Sequence, residues 1–339
     1  MKTYIKKGAP QYKANLHSHS TISDGNLTPE EMKQAYRDHG YSILSITDHE
    51  VPFDHSDISE KDFLMLTGYE AYIRIPHSGK YNPYKPEIHI NLFAKDPHNV
   101  KYINFNESYC KYIKDPKILD SFQKVGSEEP REYTVEYINS FVQAAKENGY
   151  LCAYNHAVWS LEDQERISAY EGFFSMEMCN YSSYVMNAME YNGALYDRLL
   201  REGKRLFCHS SDDNHNGAPF DSPKCDSFGG FTMVLANELS YPSVINALEN
   251  GDFYSSMGPQ ILELSFDGAK AHIETENVKQ IIMFCGGKKT YFEIGTKDEP
   301  VSSADFEIPE KAPYVRFSVI DFEGKHADTR AYFRDELGI

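Results

Sequence analysis

Between residues 14 and 254 strand-like and helix-like runs alternate, and after Met257-Gly258-Pro259 only strand-like runs remain. No other feature limits the fold as much. Alternating strands and helices imply a parallel sheet, open or closed into a barrel, because each return to the sheet needs a crossover. A first strand is predicted at 14–19. Thr28-Pro29-Glu30-Glu31 then offers an N-cap, a proline at the first helical position and a capping-box glutamate, so a helix should run from there to about His39 and stop at Gly40. Further strands are predicted at 42–47, 63–70 and 87–94. Residues 95–130, rich in Lys, Asp, Asn and Tyr, read as an irregular insertion. Val135, Ile138, Phe141, Val142 and Ala145 form the apolar stripe of a helix over 134–148, closed by Gly149. Strands at 151–155, 173–178, 205–209, 231–235 and 253–255 follow, with helices at 185–202 and 242–249.

Past residue 257, the runs 261–266, 280–284 and 314–320 are separated by turn signals such as Cys285-Gly286-Gly287. In 314–320, Val315, Phe317 and Val319 alternate with Arg316 and Ser318, as in a half-buried antiparallel strand. The expected organisation is an α/β hydrolase domain over 1–257 and a small all-β, immunoglobulin-like sandwich over 258–339.

A net charge of −17 argues against a nucleic-acid surface, which needs clustered Lys and Arg. It leaves a small anionic substrate open, since bound cations set the local sign of a site. No apolar stretch approaches the roughly 18 residues of a membrane span, and Met1–Lys7 lacks the apolar core of a secretory signal. The expected location is the cytoplasm, without a membrane partner. The six cysteines form no CxxC pair and read as free thiols. Homo-oligomerisation is left open.

The chemistry lies in where His and acidic residues fall. Sites in α/β sheets form at the carboxyl ends of strands. His17-Ser18-His19 ends the first predicted strand, and residues two apart in an extended chain point the same way. Asp24 follows in a loop, Asp48-His49 ends the second strand and Glu70 the third. His89 lies within the fourth, His156 follows the strand at 151–155, and Asp213-Asn214-His215 follows that at 205–209. Singly these are weak signals: a lone Asp after a strand is more often a helix cap. Nine such groups at successive strand ends form a pattern, and imidazole with carboxylate and no thiolate suits Zn, Mn or Fe.

NLHSHSTISDG, ITDHE, GYEAY and SSDDNHN resemble, in order, the motifs of the PHP (polymerase and histidinol phosphatase) family, which includes bacterial phosphoesterases. The likeness runs from residue 12 to about 257. It implies a distorted (β/α)7, TIM-like barrel with two or three divalent metal ions. His17, His19, Glu70 and Asp213 would hold one ion. Glu70 would bridge to a second held by His89 and His156, and Asp24, His49 and His215 would hold a third. The chain departs from the family in having His156-Ala157 where His-Pro is common, and Asp212-Asp213 where a single Asp is usual. The DxH spacing to His215 favours Asp213.

This ligand set leads to a metal-dependent phosphoesterase acting on a small phosphate mono- or diester. A hydroxide bridging the ions sharing Glu70 would attack phosphorus, and Asp213 would shuttle the proton. A binuclear amidohydrolase shares the same nearest ligands, and a non-catalytic, metal-stabilised binding module is a third reading. Glu177 and Asn180 are candidates to support the ligands. Arg74, Lys80, Arg131 and Arg166 are candidates to grip phosphate, although a solvated surface role suits each better. Cys208 and His209 read as packed core, and Trp159 and Tyr154 as pocket wall or core. Specificity is expected to lie in 77–131.

Overall fold

The computed structural model describes residues 1–75, 82–113, 115–189 and 191–339. Its first part comprises β1 (Lys2–Ile5), β2 (Tyr12–Asn15), α1 (Pro29–Asp38), β3 (Ile43–Ile46), β4 (Leu64–Arg74), β5 (Glu87–Ala94), β6 (Lys101–Ile103), β7 (Gln123–Val125), α2 (Val135–Glu147) and β8 (Tyr150–Tyr154). Then come α3 (Gln164–Ala169), β9 (Ser175–Asn180), α4 (Tyr181–Asn187), α5 (Gly193–Arg201), β10 (Phe207–Ser211), β11 (Phe231–Val234), α6 (Tyr241–Asn250) and β12 (Phe253–Ser256). The remainder is β13 (Ile261–Asp267), β14 (Lys270–Val278), β15 (Gln280–Phe284), β16 (Tyr291–Ile294), β17 (Val301–Glu307), β18 (Tyr314–Ile320), β19 (His326–Thr329), β20 (Tyr332–Phe333) and α7 (Arg334–Leu337).

Local chemistry sets the elements as expected at α1. The Thr28 hydroxyl accepts from Glu31 N at 3.3 Å, and the Glu31 carboxylate accepts from Thr28 N at 2.9 Å, closing a capping box. Thr28→Ala should therefore lower stability by about 1 kcal/mol, read as a shift in the urea unfolding midpoint at constant slope.

The sheet differs from the expected parallel barrel. Its path runs β10-β9-β8-β5-β4-β3-β2-β11-β12-β19-β18-β15-β16. β2–β3, β3–β4, β8–β9 and β9–β10 are parallel, whereas β5 is antiparallel to both β4 and β8, and β11 to both β2 and β12. Among the described residues no helix lies between β4 and β5, and the two pair antiparallel. The ladder does not close on itself. One end, β10, instead meets the middle of the ladder just past the strands: Ser18, after β2, and Asn214, after β10, form a parallel bridge, His19 N donates to Asn214 O at 3.0 Å and Asp213 N to His17 O at 2.9 Å.

The C-terminal strands are not detached from this sheet. β12 pairs with β19 through Tyr254–Thr329, Ser255–Asp328 and Ser256–Ala327. A second sheet, β1-β13-β14-β17, recruits the N-terminal β1. One core holds Leu44, Met65 and Phe231 together with Phe266, Phe317 and Val319. The expected half-buried strand at 314–320 is buried on both faces: Arg316 is 1% exposed and pairs with Asp197 and Asp328. The helix expected over 185–202 is two, because Ala188 adopts a left-handed conformation (φ 53°) and ends α4. Among the described residues no helix is long and apolar enough to cross a membrane.

Candidate metal centre

The nine residues singled out in the sequence converge at one end of the sheet. His17 and His19 lie just past β2 and are fully buried. Asp24 follows in a loop whose approach requires Gly25, since a Cβ there would stand 2.0 Å from His19 O. Asp48 is no part of the cluster. It accepts from Ser20 N at 2.7 Å and from the Ser20 and Ser23 hydroxyls, and so anchors that loop. Glu70 lies within β4, which continues to Arg74. His89 lies opposite Tyr72 on β5, His156 follows β8, and Asp213 and His215 follow β10. His156 (φ 21°) and Asp213 (φ 53°) occupy backbone regions that side-chain-bearing residues seldom adopt and that cluster at functional sites.

Glu70 is the hub. Its Oε1 lies 3.1 Å from His17 Nε2, 3.1 Å from His89 Nδ1 and 3.3 Å from His156 Nε2; its Oε2 lies 2.8 Å from His49 Nδ1 and 3.6 Å from His19 Nε2. Asp213 Oδ1 is 2.9 Å from His19 Nε2 and 3.2 Å from His17 Nε2, and Asp213 Oδ2 is 3.9 Å from His156 Nε2. Asp24 is 3.9, 3.7 and 3.5 Å from His19, His49 and His215. Three groups offer ligand atoms mutually within 4.8 Å: His17/His19/Glu70, His49/Glu70/His89, and His19/Asp24/His49/His215.

The electrostatics are those of a site built around positive charge. Burial pushes the Glu70 carboxyl up, but His17, His89 and His49 outweigh it and hold it well below the usual range. Burial likewise opposes protonation of His17, and Asp213, Glu70 and Glu177 override it, raising its pKa well above normal. His89 is raised to about 10 against burial, chiefly by Glu70. His19 goes the other way, to about 4, through burial and its imidazole neighbours His215 and His49. Glu70 Oε2, His19 Nδ1 and His49 Nδ1 are buried without an aligned hydrogen bond, although Glu70 Oε2 and His49 Nδ1 lie 2.8 Å apart. Buried polar atoms are ordinarily satisfied, so these three, all facing the cluster, fit bound cations.

Supporting groups stand behind the cluster. Glu177 accepts from His17 Nδ1 at 2.8 Å, from His156 N at 2.7 Å and from the Ser211 hydroxyl. Asn180 donates to Glu177 and to Asp213 Oδ2, each at 3.0 Å, and Asn155 donates to Glu70 Oε1 at 2.8 Å. This is the usual company of metal-ligating side chains. Asp212 turns away: it accepts from Tyr36 and from the N–H groups of residues 228–230.

A cavity of about 210 Å³ opens over the cluster, its other walls being Tyr72, Arg74, Glu87, Tyr112 and Trp159. Tyr112 and Glu87 lie in no motif, and Tyr72, although it ends GYEAY, offers no ligand atom that would single it out; Tyr112 lies over the His49 ring, centroids 5.1 Å apart. Of the candidate phosphate grips only Arg74 lines this cavity. Arg131 is neither there nor solvated: it is fully buried against Glu50. Arg166 lies over the Tyr133 ring, beside Glu162, and Lys80 falls outside the described residues. Trp159 is wall, whereas Tyr154 bonds Glu162 away from the site. Cys208 and His209 are buried core, as expected.

Fold and centre together define a mixed α/β protein with a His/carboxylate cluster suited to divalent ions. Residues 15–142 match the PHP domain family. That stretch holds His17, His19, Asp24, His49, Glu70 and His89; His156, Asp213 and His215 lie beyond it. No curated protein matches the chain. Similar solved structures include a two-domain protein containing a predicted PHP-like metal-dependent phosphoesterase from Bacteroides vulgatus, 16% identical over 96% of this chain and 97% of that one, with a TM-score of 0.47. An amidohydrolase from Chromobacterium violaceum, with bound sulfate and no metal, is 15% identical over 71% of this chain and 96% of that one, at a TM-score of 0.40.

Proposed function

We propose that the chain is a metal-dependent hydrolase of small phosphate mono- or diesters. The observation that carries this reading is the convergence of six imidazoles and three carboxylates around Glu70 beneath an open cavity. His17, His19, Glu70 and Asp213 would hold one ion and Glu70 with His89 and His156 a second. Asp24, His49 and His215, joined by His19, would hold a third. Zn, Mn or Fe, when bound, would supply Lewis-acid polarisation of the phosphoryl oxygens and lower the pKa of water.

The chain's own groups do the rest. Glu70 and Asp213 present carboxylates held ionised by neighbouring imidazoles. Asp213 lines the cavity, with Oδ2 oriented by Asn180, and takes the proton at that oxygen. Tyr72, Tyr112 and Trp159 narrow the cavity and exclude bulk water, and Arg74 is the one Arg or Lys among its lining residues. At about 210 Å³ the cavity is below the ~300–1,000 Å³ of drug-sized ligand sites, which favours a small substrate.

Metal analysis after mild purification should find at least two transition-metal ions per chain, and the Mn²⁺-loaded protein should turn over p-nitrophenyl phosphate or its diester faster than a panel of amides and cyclic amides. One ion or none with activity intact, or amide turnover in place of ester turnover, overturns the reading.

A further inference from the structure

His49 sits between β3 and β4 on a segment without regular secondary structure, yet its ring must face both Glu70 and Asp24. Its sequence neighbours are both buried acids. Asp48 ties the segment to the 20–23 loop, as described above. Glu50 has φ 60°, in the left-handed region, and a side-chain-bearing residue stays there only when its surroundings over-determine it. Here they do. Glu50 N donates to Glu70 O at 2.8 Å. Its Oε1 accepts from Tyr72 N at 2.9 Å and Arg131 Nη1 at 2.6 Å; its Oε2 accepts from Arg131 Nη2 at 2.9 Å and from the Tyr102 hydroxyl. The Arg131 guanidinium also donates to Tyr72 O at 2.8 Å and packs over the Tyr109 and Phe141 rings at 4.5 and 5.1 Å.

A buried ion pair is a poor way to stabilise a fold, because an apolar pair of the same volume often does as well. What a two-pronged guanidinium–carboxylate contact adds is fixed direction. We propose that the Glu50–Arg131 pair is a positioning device for the metal centre: it locks the left-handed turn at Glu50 and thereby aims His49 at Glu70 and at the subsite it shares with His19, Asp24 and His215. The inference rests on the metal-centre reading above. Arg131 follows directly on the 95–130 stretch, so this stretch orients a ligand at a distance, without itself supplying one.

The test is a calorimetric Mn²⁺ titration of the full chain and of the Glu50→Met/Arg131→Met double variant, with thermal unfolding alongside. The apolar pair should preserve the melting temperature to within a few degrees while one class of Mn²⁺ sites weakens about 10–100-fold and the others hold. Arg131→Lys, which keeps the charge but not the fork, should fall between the two. A double variant that melts like the parent and binds Mn²⁺ identically overturns the positioning role. If the double variant fails to fold, Tyr102→Phe removes one contact to Glu50 and leaves the ion pair; it should weaken the same class several-fold, and unchanged affinity again overturns the proposal. A parent chain that binds no Mn²⁺ overturns the metal-centre reading itself.

Discussion

Glu70→Gln should reduce phosphoester turnover about a thousandfold or more, equivalent to about 4 kcal/mol of barrier. Glu70 is fully buried, and five imidazoles approach its two oxygens. An amide keeps the shape but removes the charge that the neighbouring imidazoles, or the ions replacing their protons, are arranged to meet. Leaving that charge unanswered in a buried site is costly. Asp24→Asn should behave differently. Its side chain is 28% exposed and lies on the rim with His49 and His215, so its loss should give a slower enzyme that added Mn²⁺ rescues. Initial rates on a generic phosphomonoester and phosphodiester, with and without Mn²⁺, separate the two. Near-parental turnover by Glu70→Gln with a dead Asp24→Asn would require the site to be rebuilt around Asp24, His49 and His215.

The largest stability effect is expected at Arg316→Ala, a loss of about 3–5 kcal/mol. Arg316 Nε and Nη2 each donate to Asp197 at 2.9 Å, and Nη1 to Asp328 Oδ1 at 3.1 Å. Truncation strands both carboxylates at the joint between α5, β18 and β19. Tyr314 and Tyr191, which also bond Asp197 and Asp328, cannot neutralise them. Replacing Arg316, Asp197 and Asp328 together by Met, Leu and Leu should recover most of the loss, because the expense lies in the unpaired charges. Denaturant unfolding of the single and triple variants decides it; equal losses in both would show that packing dominates.

The two arginines also mark where sequence reading stops. Periodicity tells which face of an element is apolar, and on that basis α1, α2 and most strands of the first part were legible, the capping box at Thr28 included. It does not name a partner far along the chain. Arg316 in an alternating run and Arg131 beside an irregular stretch both read as solvent-facing, and both are buried against acids distant in sequence. The pairing of β1 with β13 escaped for the same reason, four residues being too few for a pattern. The nine candidate ligands were legible because strand ends are where a sheet delivers side chains to one place. Asn155, which lies in no motif, was not, and nothing in the sequence marks the supporting roles of Glu50 and Ser211 within ITDHE and SSDDNHN.

The exchange of strands between the two ends of the chain bears on how the protein is made. Lys2 pairs with Phe266 and Thr3 with Ser265, so β1 leaves the ribosome without a partner until about 260 further residues have followed. At about 5–20 residues per second that wait is on the order of tens of seconds. β12 waits in turn for β19. The nascent chain therefore presents an unpaired edge on β1 until β13 emerges and on β12 until β19 emerges. Cutting the gene at residue 257 would deprive each fragment of a strand it needs.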